Sequence, residues 1–169
     1  LKQCWMTGRI FPAIFIASSL VPASAGAVPP VSFAPKADYV VPGSPGGTGV
    51  ADLNGDGRPD LVVALADANK IVVRLGSGAG MFGPVTEFVT AANPSRGVLG
   101  DFNGDGRLDL ATSDWFANTA TVLLGRGDGT FYPGVSYGAG GTPAAIAAAD
   151  FSGDGVPDLV GAGYGSTAS

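Results

Sequence analysis

Apolar residues in this chain fall into short runs, and glycine, proline and acidic residues separate them. Thr48 to Leu53 runs into a polar loop, Leu61 to Leu65 leaves it, Lys70 to Leu75 (Lys-Ile-Val-Val-Arg-Leu) follows, and Val85 to Val89 closes the series. Each is strand-length and rich in β-branched residues, while Gly76 to Gly80 and the Pro-Gly-Ser-Pro stretch at 42 to 45 supply turns. Strict alternation of apolar and polar positions is only partial, with alanine and leucine falling on both faces. The strands are therefore expected to be buried on both sides. Four short antiparallel strands, stacked against neighbours of the same kind, describe a propeller blade. The expected fold class is all-β.

The pattern repeats. Asp52-Leu53-Asn54-Gly55-Asp56-Gly57-Arg58-Pro59-Asp60 returns as Asp101-Phe102-Asn103-Gly104-Asp105-Gly106-Arg107-Leu108-Asp109 and again as Asp150-Phe151-Ser152-Gly153-Asp154-Gly155-Val156-Pro157-Asp158, at a constant spacing of 49 residues. Phe33, Phe82 and Phe131 keep this phase, as do Tyr39, Phe88 and Tyr137, and Pro45, Pro94 and Pro143. Such lockstep marks one supersecondary unit used repeatedly. It divides the chain into the last strand of a blade at 31–41, a blade at 42–89, a second at 90–138 and a partial third at 139–169, about two and a half blades in all. A closed propeller uses at least about four blades. Either the chain is a piece of a longer protein or several copies assemble; the open strand edges that would otherwise remain favour the first.

The repeated loop carries oxygen-bearing side chains at positions one, three, five and nine, with glycine at four and six. A hard cation such as calcium takes roughly 6 to 8 oxygens at about 2.3 to 2.6 Å, and acids on alternate residues can surround it if the backbone curls. Position seven would contribute a backbone carbonyl, which leaves its side chain free to vary; it is Arg58, Arg107 and Val156. Tight turns alone would also use Asp-Gly and Asn-Gly pairs. A turn needs one such pair, however, and three neighbouring carboxylates repel without a counter-ion. Nine of the fourteen acidic residues lie in these loops. An EF-hand is excluded, because its twelfth position requires glutamate and here it is Val63, Thr112 or Gly161.

Near the start, Arg9 precedes an apolar run from Ile10 to Val21 and a small-residue exit, Pro22-Ala23-Ser24-Ala25-Gly26-Ala27. Residues 1–27 therefore read as a signal-peptide region, with cleavage after Ala25 or Ala27. The run is shorter than the roughly 20 residues of a spanning helix, which argues against a membrane anchor. Residues 1–5 precede the first methionine, Met6, and are either upstream readthrough or an alternative start. The only cysteine, Cys4, lies among them, so the mature segment 28–169 is expected to have neither disulfide nor thiol nucleophile. Removing Lys2 and Arg9 moves the net charge from −5 to −7. With no basic cluster to neutralise phosphates, nucleic acid is not an expected partner.

The run Leu123-Leu124-Gly125-Arg126-Gly127-Asp128-Gly129-Thr130-Phe131, followed by Pro133, Tyr137 and Pro143, together with Gly-Asp-Phe-Asn-Gly-Asp-Gly-x-x-Asp-Leu at 100–110, closely resembles the FG-GAP (VCBS-type) repeat. The resemblance covers about residues 31–169. It implies blades of a calcium-stabilised β-propeller, as in integrin α-chains, with the metal loop between the first two strands and ligands met on the opposite face. Carried over by position, the metal ligands would be Asp52, Asn54, Asp56 and Asp60; Asp101, Asn103, Asp105 and Asp109; and Asp150, Ser152, Asp154 and Asp158. Arg58, Arg107 and Val156 would each give a main-chain oxygen. Ser152 departs from the pattern with a poorer ligand, so the third site is expected to be the weakest.

For function, the leading expectation is a secreted module, extracellular or cell-surface or periplasmic, that binds a protein or glycan. Trp115 and Phe116, which follow the second strand of the central blade, are its candidate ligand contacts. Packing of Trp115 between blades is the competing reading, since large aromatics are mostly buried. An enzyme is not expected, because histidine is absent and the clustered aspartates are committed to metal. The alternative is a non-catalytic propeller portion of a larger secreted polysaccharide hydrolase or lyase. A purely architectural spacer is the third possibility.

Overall fold

The computed structural model describes residues 13–16 and 37–165. Most of the expected leader, including both cleavage positions, lies outside the described residues, as do Phe33, Pro35 and residues 166–169.

The described residues form an all-β fold of stacked antiparallel sheets, the blades of an incomplete β-propeller. The strands are β1 (Ala13–Ile16), β2 (Ala37–Val40), β3 (Pro45–Ala51), β4 (Asp60–Leu65), β5 (Lys70–Arg74), β6 (Gly76–Gly78), β7 (Met81–Phe82), β8 (Thr86–Val89), β9 (Pro94–Gly100), β10 (Asp109–Asp114), β11 (Thr119–Leu123), β12 (Val135–Gly138), β13 (Thr142–Ala149) and β14 (Asp158–Tyr164). One blade has the order β3-β4-β5-β8 and the next β9-β10-β11-β12, and β13-β14 forms the two-stranded start of a third. The small β6-β7 hairpin projects from the link between the third and fourth strands of the first blade. Among the described residues no helix is long and apolar enough to cross a membrane.

Burial explains why alternation was weak. All six residues of β4 and all six of β10 are buried, because each second strand is sandwiched between neighbouring blades. Side chains still alternate along β4. Val62 and Ala64 join Leu53, Ile71, Val73, Leu110, Leu123 and Phe131 in a core shared between the two full blades, and Leu61, Val63 and Leu65 join Val41 and Val72 on the other face. Each such side chain contributes roughly 1.5 to 3 kcal/mol by leaving water. Phe88 and Phe131 meet edge to face across the blade interface, with ring centroids 5.3 Å apart. The expectation of two-sided burial fails for the first strand β3, where no residue is fully buried, and for the fourth strands, with β12 exposed throughout and β8 nearly so. The fourth strands lie at the outer rim, where solvent covers what a neighbouring blade does not.

Nothing in the 49-residue pattern assigns Ala13–Ile16 to a blade, yet β1 runs antiparallel to β2. Its Ile14–Tyr39 pairing is the counterpart of Ile71–Phe88 and Ala120–Tyr137 in the full blades, so β1 occupies the place of a third strand. An open strand edge offers its unpaired N–H and C=O groups to any extended segment within reach.

Candidate metal centre and ligand face

Each metal loop joins the first strand of a blade to the second. Glycines at loop positions four and six adopt left-handed φ values in all three copies: Gly55 and Gly57 at 73° and 79°, Gly104 and Gly106 at 73° and 81°, Gly153 and Gly155 at 79° and 88°. A side chain would strain these turns, and through them the backbone wraps around the carboxylate at position one. Asp52 accepts the Gly55 and Asp56 amides on Oδ1 (2.8 and 3.1 Å) and the Gly57 amide on Oδ2 (2.7 Å). Asp101 takes the Asp105 and Gly106 amides (3.0 and 2.7 Å). Asp150 takes those of Gly153, Asp154 and Gly155 (2.6, 3.2 and 2.9 Å).

Positions three and five face each other within the curl. Asn54 donates through Nδ2 to Asp56 Oδ2 at 3.0 Å, and Asn103 does the same to Asp105 at 2.9 Å. Ser152 instead turns to Asp150, at 3.5 Å. Position five also accepts the amide of position seven: Asp56 from Arg58 (2.9 Å), Asp105 from Arg107 (2.9 Å) and Asp154 from Val156 (2.8 Å). The Asp56 carboxyl is held below its ordinary pKa, chiefly by the Arg58 amide. Asp105 is lowered chiefly by the Asn103 amide group, and Asp150 by the Gly155 amide.

Position nine does a different job. Asp60 and Asp109 are fully buried. Asp60 accepts Leu53 N on Oδ2 (2.8 Å) and Gly76 N on Oδ1 (2.7 Å); Asp109 accepts Phe102 N (2.9 Å) and Gly125 N (2.7 Å) in the same way. The carboxylate thus ties the metal loop to the link after the third strand. Gly76 and Gly125 approach so closely that an added Cβ would collide with the carbonyl oxygens of Pro59 and Leu108. Asp158 accepts Phe151 N and Ser152 N, both at 3.0 Å.

On the opposite end of the blades, the turn after β10 carries the candidate ligand residues. Asn118, like Asn69 one repeat earlier, holds a left-handed φ (56° and 54°) that asparagine tolerates better than most residues. Amides of Trp115 and Phe116 donate to the carbonyls of Asn93 (2.9 Å) and Ala92 (3.3 Å), which fixes the turn. Trp115 is half-buried and meets Tyr164 of the partial blade at 5.6 Å; Phe116 is 73 % exposed and Tyr164 74 %.

The FG-GAP-like repeat model matches residues 52–112 and again 101–161. The chain belongs to the FG-GAP-like repeat family. Each match runs from the first aspartate of one loop to the twelfth position of the next, so the family pattern and the 49-residue period describe the same unit. No curated protein matched the chain.

In this FG-GAP-like chain the loop donors fit a hard cation. Carboxylates at one and five and, at three, an amide oxygen in the first two loops or the Ser152 hydroxyl in the third share one backbone curl, which is oxygen-only chemistry of the kind calcium takes. Among the described residues no three acidic side chains are already gathered around one point; they are turned onto loop amides instead. Asp52, Asn54, Asp56 and Asp60, Asp101, Asn103, Asp105 and Asp109, and Asp150, Ser152, Asp154 and Asp158 would hold the ion, with the carbonyls of Arg58, Arg107 and Val156. Asp60 and Asp109 accept one amide on each oxygen, which leaves a second lone pair on each oxygen that could face the ion.

A polar cluster around Asp114 escaped the sequence reading. Thr112, Thr119 and Thr121 donate to its buried carboxylate at 2.9, 3.3 and 2.6 Å, and Thr121 continues to Ser136 at 2.9 Å. The signal was present in the strand register, which sets Thr112 opposite Thr121 and Asp114 opposite Thr119. Acids outside the loops have partners as well: Asp67 accepts from Ser44, Glu87 pairs with Lys70 at 2.6 Å, and Asp128 accepts from Thr130.

Proposed function

We propose that this chain is a secreted, calcium-binding propeller module that acts by binding or adhesion outside the cell, without catalysis of its own. The observation that carries the reading is the shared curl of Asp52, Asn54 and Asp56, reproduced by Asp101, Asn103 and Asp105. Calcium there would replace mutual repulsion with coordination and hold the ends of the first two strands of each blade together. The rim that carries Trp115, Phe116 and Tyr164 supports a contact face for a protein or glycan, because aromatic rings offer large contact area at small entropic cost. Its position away from the metal loops leaves the ion a structural role. Export would follow from the leader at 1–27, and extracellular calcium would fill sites of the affinity usual there, about 10⁻⁴ to 10⁻³ M.

Calorimetric titration of calcium into the protein, with melting curves in calcium and in EDTA, tests the metal reading. Uptake of two to three ions with a higher melting temperature supports it; no heat, with an unchanged melt in EDTA, sinks it. A glycan array and a cell-surface pull-down, each with and without EDTA, test the binding reading, and selective capture lost in EDTA is the expected result.

A further inference from the structure

Two of the three metal loops contain a cation of their own. Arg58 places Nη2 2.6 Å from Asp56 Oδ2, and Arg107 places Nη2 2.6 Å from Asp105 Oδ2. Arg58 is braced from behind, since its Nε donates to the Gly76 carbonyl at 2.9 Å. That oxygen belongs to the link that Asp60 ties to the loop, so the guanidinium is held by the same scaffold that shapes the loop. The third loop has Val156 at this position, and Asp154 there accepts only the Val156 amide at Oδ1 among the contacts described above.

We propose that Arg58 and Arg107 are affinity-setting residues that weaken calcium uptake by the first two loops, so that the third loop, despite Ser152, fills first. The inference rests on the calcium reading of these loops. A calcium ion entering the first or second loop meets a position-five carboxylate whose outer oxygen already carries a full positive charge. It must either share that carboxylate with the guanidinium a few ångströms away or drive the arginine off. A unit charge pair at about 4 Å in bulk water already shifts an equilibrium roughly fivefold, and a doubly charged ion in a partly desolvated loop feels more. Ser152 acts in the other direction, but exchanging one neutral oxygen for another alters the ion–dipole contact at one ligand only. The charge effect wins. The expected order of affinity is therefore the reverse of the order that ligand types alone suggest.

The same arrangement divides the loops by what holds them when calcium is absent. In the first two, the arginine neutralises part of the acidic cluster, and Arg58 also bonds it into the blade through the Gly76 carbonyl. In the third, Val156 supplies no such cation and no described residue pairs with Asp150, Asp154 or Asp158 as the arginines do, so their mutual repulsion is left to the ion.

The test is a calcium titration of the full chain by calorimetry at low salt, with ion stoichiometry read separately by equilibrium dialysis. Wild-type protein is expected to take up one ion at a calcium concentration about tenfold or more below the rest. Asp150→Asn should abolish that first step and leave the weaker ones. Val156→Arg should move it into the weaker group. Arg58→Gln with Arg107→Gln should pull the weaker steps toward the first, and Arg58→Lys with Arg107→Lys should restore part of the separation. Uptake of all ions in a single affinity class, or a tight step that survives Asp150→Asn, would overturn the inference while leaving calcium binding intact. So would arginine variants that titrate like wild type. Absence of calcium heat in every variant would overturn it together with the calcium reading itself.

Discussion

Trp115 and Tyr164 stand one repeat length apart in the sequence and meet edge to face in space, with ring centroids 5.6 Å apart and planes at 63°. Equivalent positions of two blades thus touch each other across the interblade seam. Trp115 packs against Tyr164 across the seam and stays half-exposed beside the exposed Phe116. Edge-to-face pairs contribute about 0.5 to 1.5 kcal/mol beyond area. Trp115→Ala should therefore lower the melting temperature by a few degrees, whereas Phe116→Ala should leave it unchanged and still reduce any capture seen on a glycan array. A Phe116→Ala variant that melts early, or that binds like wild type, would remove Phe116 from the contact face.

The blades were readable in the sequence because their unit recurs. A single Leu61–Leu65 run does not distinguish a buried strand from a buried helix turn, but three copies of the loop, Asp-x-Asn-Gly-Asp-Gly twice and Asp-x-Ser-Gly-Asp-Gly once, set the strand boundaries from outside by their fixed phase. The curl of the acidic loop was readable for the same reason. What was not readable involves partners far apart in sequence. Asp60 also carries Gly76 N on its Oδ1, and no local pattern marks that contact. Arg58 looked like a position whose side chain is free; only the fold shows it returning to Asp56. Asp114 was missed because the spacing that brings its threonines together is the β10–β11 register, and strand pairing, not composition, fixes that.

Asp109 gives a test of the staple that does not involve the ion. Its two oxygens accept Phe102 N and Gly125 N in a buried site. Asparagine has the same shape but turns an NH2 toward one of these amides, which leaves a buried donor unsatisfied. Asp109→Asn should destabilise by about 1 to 3 kcal/mol in urea unfolding, and the loss should persist in EDTA. A loss seen only in calcium would show that Asp109 acts as an ion ligand instead.

The interblade core should respond to truncation in proportion to burial. Leu110 is 1 % exposed, in the cluster with Val62, Ile71 and Leu123. Leu110→Ala should cost about 2 to 5 kcal/mol, enough to unfold a marginal domain at body temperature. Val135 lies on the outer strand with more than half its surface in water, and Val135→Ala should change stability by less than about 0.5 kcal/mol. Comparable losses at both sites would mean that the outer strand is covered in solution.

Acids in this fold pull the pH dependence of stability in opposite directions. Asp56, Asp105 and Asp150 sit below the ordinary carboxylate value in the folded state, so the stability they add is present above that value and lost as pH falls through their folded pKa. Asp114 sits above it, because burial outweighs the hydroxyl donors of Thr121, Thr112 and Thr119. Its folded form prefers the proton, so its contribution is favourable below the ordinary value and declines as pH rises through the folded pKa. Asparagine at this position keeps an acceptor for Thr121 and gains a donor for Thr112 Oγ1 while removing the buried charge. Asp114→Asn should therefore melt higher than wild type at pH 7, and the gap should shrink as pH is lowered through the carboxylate range. Melts in EDTA from pH 3 to pH 8 isolate this effect from calcium. A gap that stays constant over that range would show that Asp114 does not change its proton on folding; a wild type more stable at pH 7 would show that the threonine hydroxyls more than offset the cost of burying the charge.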